Sequence, residues 1–136
     1  MVNLKELDNY CNKYLNVDAF KDYCPNGLQI EGAENITSIV SGVSANLALI
    51  ERAIDENADA IFVHHGIFWQ DEDQVIAGAK RRKISLLLSH NINLFGYHLP
   101  LDAHPEVGNN VQLGKLLDIQ NIKPVEDSLL WQGDLN

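Results

Sequence analysis

Apolar residues along the chain recur in some stretches at three- and four-residue steps and in others at every second position, and the predicted elements follow from that change of period. Leu4, Leu7, Cys11, Tyr14 and Leu15 keep the helical spacing and predict an amphipathic helix over residues 3–15. Asn3 with Glu6 three positions later resembles a capping box, with Asn in place of Ser or Thr. Asp22-Tyr23-Cys24-Pro25-Asn26-Gly27 is turn chemistry, after which Leu28-Gln29-Ile30 alternates as a short strand. Residues 36–43 predict a second strand, and Ser44 is placed to cap a helix whose inner face is Leu47, Ile50, Ala53 and Ile54. The run Ile61-Phe62-Val63 then predicts a buried strand over 59–63. Strand, helix and strand in that order imply a right-handed crossover and a parallel pair.

The acidic run Asp71-Glu72-Asp73 suits the start of a helix, and residues 75–90 read as helical with Ile76, Ile84, Leu87 and Leu88 inward. A strand over 92–97 leads to the segment 98–105, where Pro100 and Pro105 predict a loop without regular structure. Asn109 or Asn110 caps a last helix with Val111, Leu113, Leu116 and Leu117 inward. The tail from Ile122 to Asn136 offers one strand and no closing element, so the expectation is a chain that stops partway through its architecture. No repeat, linker or low-complexity segment divides residues 1–136, which read as a single α/β domain.

Composition narrows the partners more than the fold. With 46% hydrophobic and 21% charged residues the chain has the makings of a packed core. A net charge of −9 disfavours nucleic acid and anionic membranes, although a bound metal can invert the field locally for a phosphorylated small molecule. The basic cluster Lys80-Arg81-Arg82-Lys83 is read as a solvated helix face ahead of a phosphate-attracting one. Cys11 and Cys24 fit no zinc-type spacing and read as a reduced pair; Met1 to Glu6 lacks a secretory leader; and no apolar run approaches the ~18 residues of a membrane span. The expected setting is the cytoplasm.

Candidate chemistry lies with histidine. Four of the five histidines (64, 65, 98 and 104) fall at the ends of two predicted strands, near Asp102 in sequence. Imidazole with carboxylate suits zinc, iron, manganese or nickel better than calcium or magnesium. Adjacent residues of a strand point to opposite faces, so either the chain bends at Gly66 or His64 and His65 serve different ions. Two ions ~3.5–4 Å apart, bridged by a carboxylate such as Asp102, are the usual form in metal-assisted hydrolases. His90 reads as a helix C-terminal residue and His104 as a loop position. Phe68 and Trp69 read as core or interface ahead of a stacking platform. No phosphate loop, nucleophile elbow or kinase signature is present.

Taken together, Tyr23 to Gln29, His64-His65-Gly66-Ile67-Phe68-Trp69, the run Ile92 to Pro105 and Gly108-Asn109-Asn110 resemble the YbgI family, the Nif-three-like dinuclear metal proteins called GTP cyclohydrolase I type 2 homologues. The resemblance reaches to about Ile119. It implies an α/β fold, here a mixed sheet flanked by helices forming one lobe of a two-lobe protein, and a toroidal homohexamer. It places metal ligands on His64, His65 and Asp102, and puts His98 behind them or against substrate as the catalytic candidate. The family's remaining ligands, a histidine and a glutamate four residues apart, have no counterpart after Asp102. The implied function is a hydrolase in which two divalent ions activate water against a nucleotide or related heterocycle. The alternative is a non-catalytic metal-binding, metal-delivery or scaffold protein.

Overall fold

Asn3 closes a two-residue strand, β1 (Val2–Asn3), and opens helix α1 (Leu4–Tyr14) by accepting the Lys5 amide on its side chain at 3.0 Å. The computed structural model describes residues 1–126 and 128–135. Two compact units follow one another in the chain, Met1–His98 and Leu99–Asn136. In the first, α1 is succeeded by β2 (Gly27–Ile30), β3 (Asn35–Ile36), β4 (Ile39–Ser44), α2 (Leu47–Asp55), β5 (Ala60–His65), α3 (Gly78–Ser89) and β6 (Asn93–Gly96). A short antiparallel ribbon joins β1 to β3. The main sheet has the order β2-β6-β5-β4, with β4, β5 and β6 parallel and β2 antiparallel at one edge.

Strands covered on both faces need apolar residues on both, and β5 and β6 have them. Ile61, Val63 and Leu94 join Ile50 and Ala53 of α2 and Ile84 and Leu87 of α3 in one buried cluster. Phe62 alternates to the opposite face, stacking on Phe95 at 4.5 Å and Tyr97 at 6.1 Å between ring centroids. Helix α1 reaches that face through a polar relay. The Tyr97 hydroxyl donates to Asn12 Oδ1 at 3.0 Å, Asn12 Nδ2 donates to Asp8 Oδ1, and the same oxygen accepts the Leu28 amide. Burial pushes the Tyr97 phenol above its ordinary value, so it remains a proton donor.

Asn93 is the buried polar residue at the start of β6 and makes three bonds. Its Oδ1 accepts from Gly32 N at 2.7 Å, and its Nδ2 donates to the carbonyls of Ala33 and Asp59 at 2.8 and 3.0 Å. One side chain thus satisfies three backbone groups that would otherwise be left unpaired in the interior. Asp59 collects Thr37 N, Thr37 Oγ1 and Ser38 N on one carboxylate oxygen, and these bonds hold its carboxyl below the usual value of 3.8. A depressed carboxyl stabilises the fold above the unfolded value and loses that contribution as pH falls through the folded one. Acid unfolding of Asp59→Asn should therefore lack part of the pH dependence that the parent chain shows below pH 3.8.

Most predicted elements of this unit are present, including the parallel β4–β5 pair. Several details differ. The segment 36–43 is not one strand: Ile36 ends β3, which pairs with β1, and β4 begins at Ile39 and pairs with β5. Ser44 belongs to β4, and Asn46 caps α2 instead by accepting Leu49 N at 2.9 Å. Residues 71–77 are not helical: Asp73 turns the chain by accepting Val75 N, and α3 begins only at Gly78. Ile76 and Leu88 are accordingly exposed, while Ile84 and Leu87 are core. Cys11 and Cys24 are not joined to one another.

The second unit comprises α4 (Leu99–Ala103), α5 (Asn109–Leu116) and the antiparallel hairpin β7 (Gln120–Pro124) and β8 (Trp131–Asp134). The expected loop is thus a short helix. Pro100 falls in its first turn, where an amide has no helical acceptor to lose. Gly108 caps α5, and Val111 is its buried apolar position, whereas Leu113, Leu116 and Leu117 are exposed. The tail supplies two strands where one was expected. Among the described residues no helix is long and apolar enough to cross a membrane.

Candidate metal centre

Strand β5 runs two residues further than predicted and carries both histidines in its last positions. Parallel strands present their carboxyl ends on one side of a sheet, where α/β proteins gather ligands. Ser44 ends β4 there, His64 and His65 end β5, and Tyr97 and His98 follow β6. His64 Nδ1 lies 2.9 Å from the Tyr97 carbonyl oxygen, which can only accept, so the proton is on Nδ1. His98 Nδ1 lies 2.7 Å from Asp22 Oδ1, and an ionised carboxylate imposes the same tautomer. His65 Nδ1 meets the Ser44 hydroxyl at 3.0 Å. With each Nδ1 engaged, Nε2 is the nitrogen these rings bring to a ligand.

Alternation along β5 sends His64 to the side of Phe62 and His65 to the side of Val63. At the end of the strand the two rings nevertheless come together, with centroids 4.5 Å apart and planes at 49°. His98 lies 5.0 Å from the His64 ring and 5.8 Å from the His65 ring. One nitrogen from each of the three falls within 4.8 Å of the others. Nitrogens bound to a single zinc at ~2.0–2.1 Å can be no more than ~4.2 Å apart, so small ring rotations would suffice to close the set. The imidazole donors fit a divalent transition metal.

The turn after His65 is packed by Gln29. A Cβ on Gly66 would stand 2.1 Å from Gln29 Oε1, and one on Gly96 would stand 2.7 Å from its Nε2. The amide of Gln29 is fixed there by accepting Ile67 N at 2.9 Å and donating to the Pro25 carbonyl at 2.9 Å. Neither glycine can gain a side chain without displacing it. Asn26 Oδ1 accepts the His98 amide at 2.7 Å, and its Nδ2 donates to Asp22 Oδ2 at 2.9 Å. The segment from Asp22 to Gln29 therefore braces two sides of the histidine cluster. Sequence reasoning reads Asp22 only as part of a turn, and the Asp–Asn–Gln spacing is a signal that acquires meaning once β2 is paired with β6.

Asp22, Cys24 and His98 form a second group with ligand atoms within 4.8 Å of one another. Burial and the neighbouring Asp22 carboxylate push the Cys24 thiol up to about 11, so it keeps its proton at neutral pH. The three-histidine group is the better prepared of the two. Trp69 stands edge-on to His98 at 5.2 Å and 6.0 Å from His65. It also lines a cleft of about 540 Å³ with Tyr23, Cys24, Phe68 and Lys80. Lys80 Nζ sits 5.4 Å above the Phe68 ring and donates to the Asp73 carbonyl, so one member of the basic cluster faces this cleft. Arg82 pairs with Glu51 at 3.2 Å on the surface, as a solvated helix face would.

Of the remaining predicted residues, Asp102 is on α4 in the second unit, where its Oδ1 accepts from Asn109 Nδ2 at 2.9 Å. His90 is the C-cap of α3. His104 Nδ1 accepts the amides of Glu106 and Val107, each at 3.2 Å, as a loop-organising residue.

Comparison with known proteins agrees with this architecture. The chain is 55% identical over 129 residues to a GTP cyclohydrolase 1 type 2 homolog of Yersinia pestis, covering 95% of this chain and 52% of that one. The solved structure of protein ybgI, described as of unknown function, superposes with a TM-score of 0.87 at 51% identity, covering 90% of this chain and 49% of its own. That of TTHA1606 from Thermus thermophilus gives a TM-score of 0.87 at 37% identity, covering 92% and 52%. The chain spans about half the length of the relatives it matches. The sequence profile of the Duf34/NIF3 (NGG1p interacting factor 3) family matches residues 2–136, and the chain belongs to that family.

Proposed function

We propose that this chain is the N-terminal portion of a dinuclear metal-dependent hydrolase that acts on a nucleotide or related heterocycle, and that it carries part of the metal site. The observation that carries the reading is the meeting of His64, His65 and His98 nitrogens within 4.8 Å at the carboxyl ends of parallel strands. His64 and His65 hold metal; Asp102 is added as a ligand on the family motif alone. Divalent ions supply Lewis acidity, which sharpens the acidity of water and polarises an electrophile. The chain's own residues do the rest. Tyr97 and Ser44 fix the rings of His64 and His65, and His98 lies where it can face a substrate. Trp69, Phe68 and Tyr23 give the adjoining cleft aromatic walls on which a planar heterocycle can stack. The shared name of the relatives, GTP cyclohydrolase 1 type 2 homolog, supports the substrate class. A cytoplasmic homohexamer belongs to the same proposal.

The test is a screen of nucleotides with the protein at the full length of its relatives, loaded in turn with zinc, iron, manganese and nickel. Turnover that a chelator abolishes and one metal restores is the expected result. Tight metal binding without turnover on any nucleotide would replace the hydrolase with the metal-delivery or scaffold reading.

A further inference from the structure

We infer that Lys80 binds a phosphate group of the substrate, so that the cleft beside the histidine cluster selects a nucleotide over the corresponding nucleoside. The inference rests on the heterocycle reading above and names the residue that recognises the ligand's charge. Lys80 sets specificity and takes no part in the chemical step.

The basic run Lys80 to Lys83 stands out in a chain of net charge −9, and its members are not equivalent. Arg81 and Arg82 are exposed, and Arg82 is paired with Glu51. Lys80 alone of the four lines the cleft of about 540 Å³, and among the described residues it is the one lysine or arginine there. Its side chain is 18% exposed. The ammonium is held over the Phe68 ring at 5.4 Å and donates to the Asp73 carbonyl at 3.0 Å. An ammonium has three donors, so this anchoring leaves donors for a ligand, and lysine is a common point-charge contact for phosphate. A charge shielded in this way is also screened less by salt than an open surface lysine.

The anionic side chains of the cleft are Asp22 and Glu72. Asp22 is committed to its own turn and to His98: its oxygens accept from Tyr23 N and Asn26 Nδ2 and meet His98 Nδ1. Glu72 Oε2 stands 3.8 Å from Lys80 Nζ, beyond hydrogen-bond reach, and half of its side chain is exposed. Such a pair is weak, and an incoming phosphate can displace it. The walls suit the rest of the ligand. The Tyr23 carbonyl accepts the Gln70 amide at 2.8 Å, which ties together the segments carrying Tyr23 and Trp69. The Phe68 ring already carries the ammonium, so a planar base stacks on Trp69 or Tyr23. Trp69 also stands 5.2 Å from the His98 ring, and a base stacked on it lies beside the histidines.

The experiment is equilibrium dialysis of AMP, GMP, adenosine and guanosine against the chain, with a chelator present so that no metal ion can hold the phosphate. The parent is expected to bind each nucleotide about 10–100-fold more tightly than its nucleoside, the worth of a hydrogen bond to a charged group. Lys80→Met should bring the nucleotides to the affinity of the nucleosides and leave the nucleosides unchanged, and Lys80→Arg should keep the preference. Glu72→Gln, by removing the competing carboxylate, should tighten the nucleotides alone. A parent without the preference, or a preference that survives Lys80→Met, would overturn the inference and leave the heterocycle reading in place. Equal weakening of nucleosides and nucleotides by Lys80→Met would make Lys80 a structural anchor through Asp73 and overturn it as well. A parent that binds none of the four would overturn the heterocycle reading together with the inference.

Discussion

Replacing Phe95 by alanine is expected to destabilise the chain by about 3–5 kcal/mol, the range for deleting a fully buried aromatic ring. Phe95 has no exposed surface and stacks on Phe62, whose strand delivers His64 and His65. The cavity would open beside Phe62 on that face of the sheet, and the parallel pairing of β5 with β6 beneath it leaves little freedom to collapse. Urea unfolding measures the loss; a change under about 1 kcal/mol would mean that this face of the sheet is not packed as described. Tyr97 makes a useful contrast. Its hydroxyl relay to Asn12 and Asp8 lies at the same face, and Tyr97→Phe removes a hydrogen bond without opening a cavity of comparable size.

The parts of this fold that are legible in the sequence are those where side-chain period and position agree. Ile50 and Ala53 keep helical spacing, Ile61 and Val63 keep strand alternation, and all four are core. The histidine pair is legible as a site because apolar β-branched residues lead straight into it. The places where reading fails have physical reasons. Pro100 reads as a breaker, yet at a helix start its missing amide costs nothing. Leu113, Leu116 and Leu117 look like an inward face by residue type, but α5 belongs to a small unit with one two-stranded hairpin and cannot cover them all. Ser44 resembles a helix cap locally, and tertiary structure sets it against His65 instead.

The candidate site is half legible for a similar reason. Residue type alone marks His64, His65 and His98, because imidazole is the commonest metal ligand and these three fall at the ends of two predicted strands. The residues that brace them are ordinary turn and backbone groups: Asp22 is 76 positions from His98 in sequence, and the partner of His64 is a main-chain carbonyl 33 residues away. No local pattern signals either contact. The apparent conflict between alternation in a strand and two adjacent histidines meeting at one point is removed at the strand's end, where the rings lie 4.5 Å apart and the Gln29 amide packs against Gly66.

The second large effect concerns the ion itself. His64→Ala removes an imidazole whose Nδ1 is held by the Tyr97 carbonyl, which leaves Nε2 for the proposed ion, and His65→Ala removes its neighbour 4.5 Å away. Loss of a support alone costs about 10–100-fold in affinity, so loss of a ligand should cost at least the upper end of that range. Both side chains lie at the partly exposed end of β5, and their removal forfeits one hydrogen bond each, about 0.5–1.5 kcal/mol apiece, so the metal-free double variant should stay folded with a modestly lowered midpoint. A zinc titration of the chain beside the His64→Ala–His65→Ala double variant is the most direct measurement. Tight binding to the parent and none in the micromolar range to the double variant is the predicted result; equal binding to both would contradict a metal centre at the end of β5.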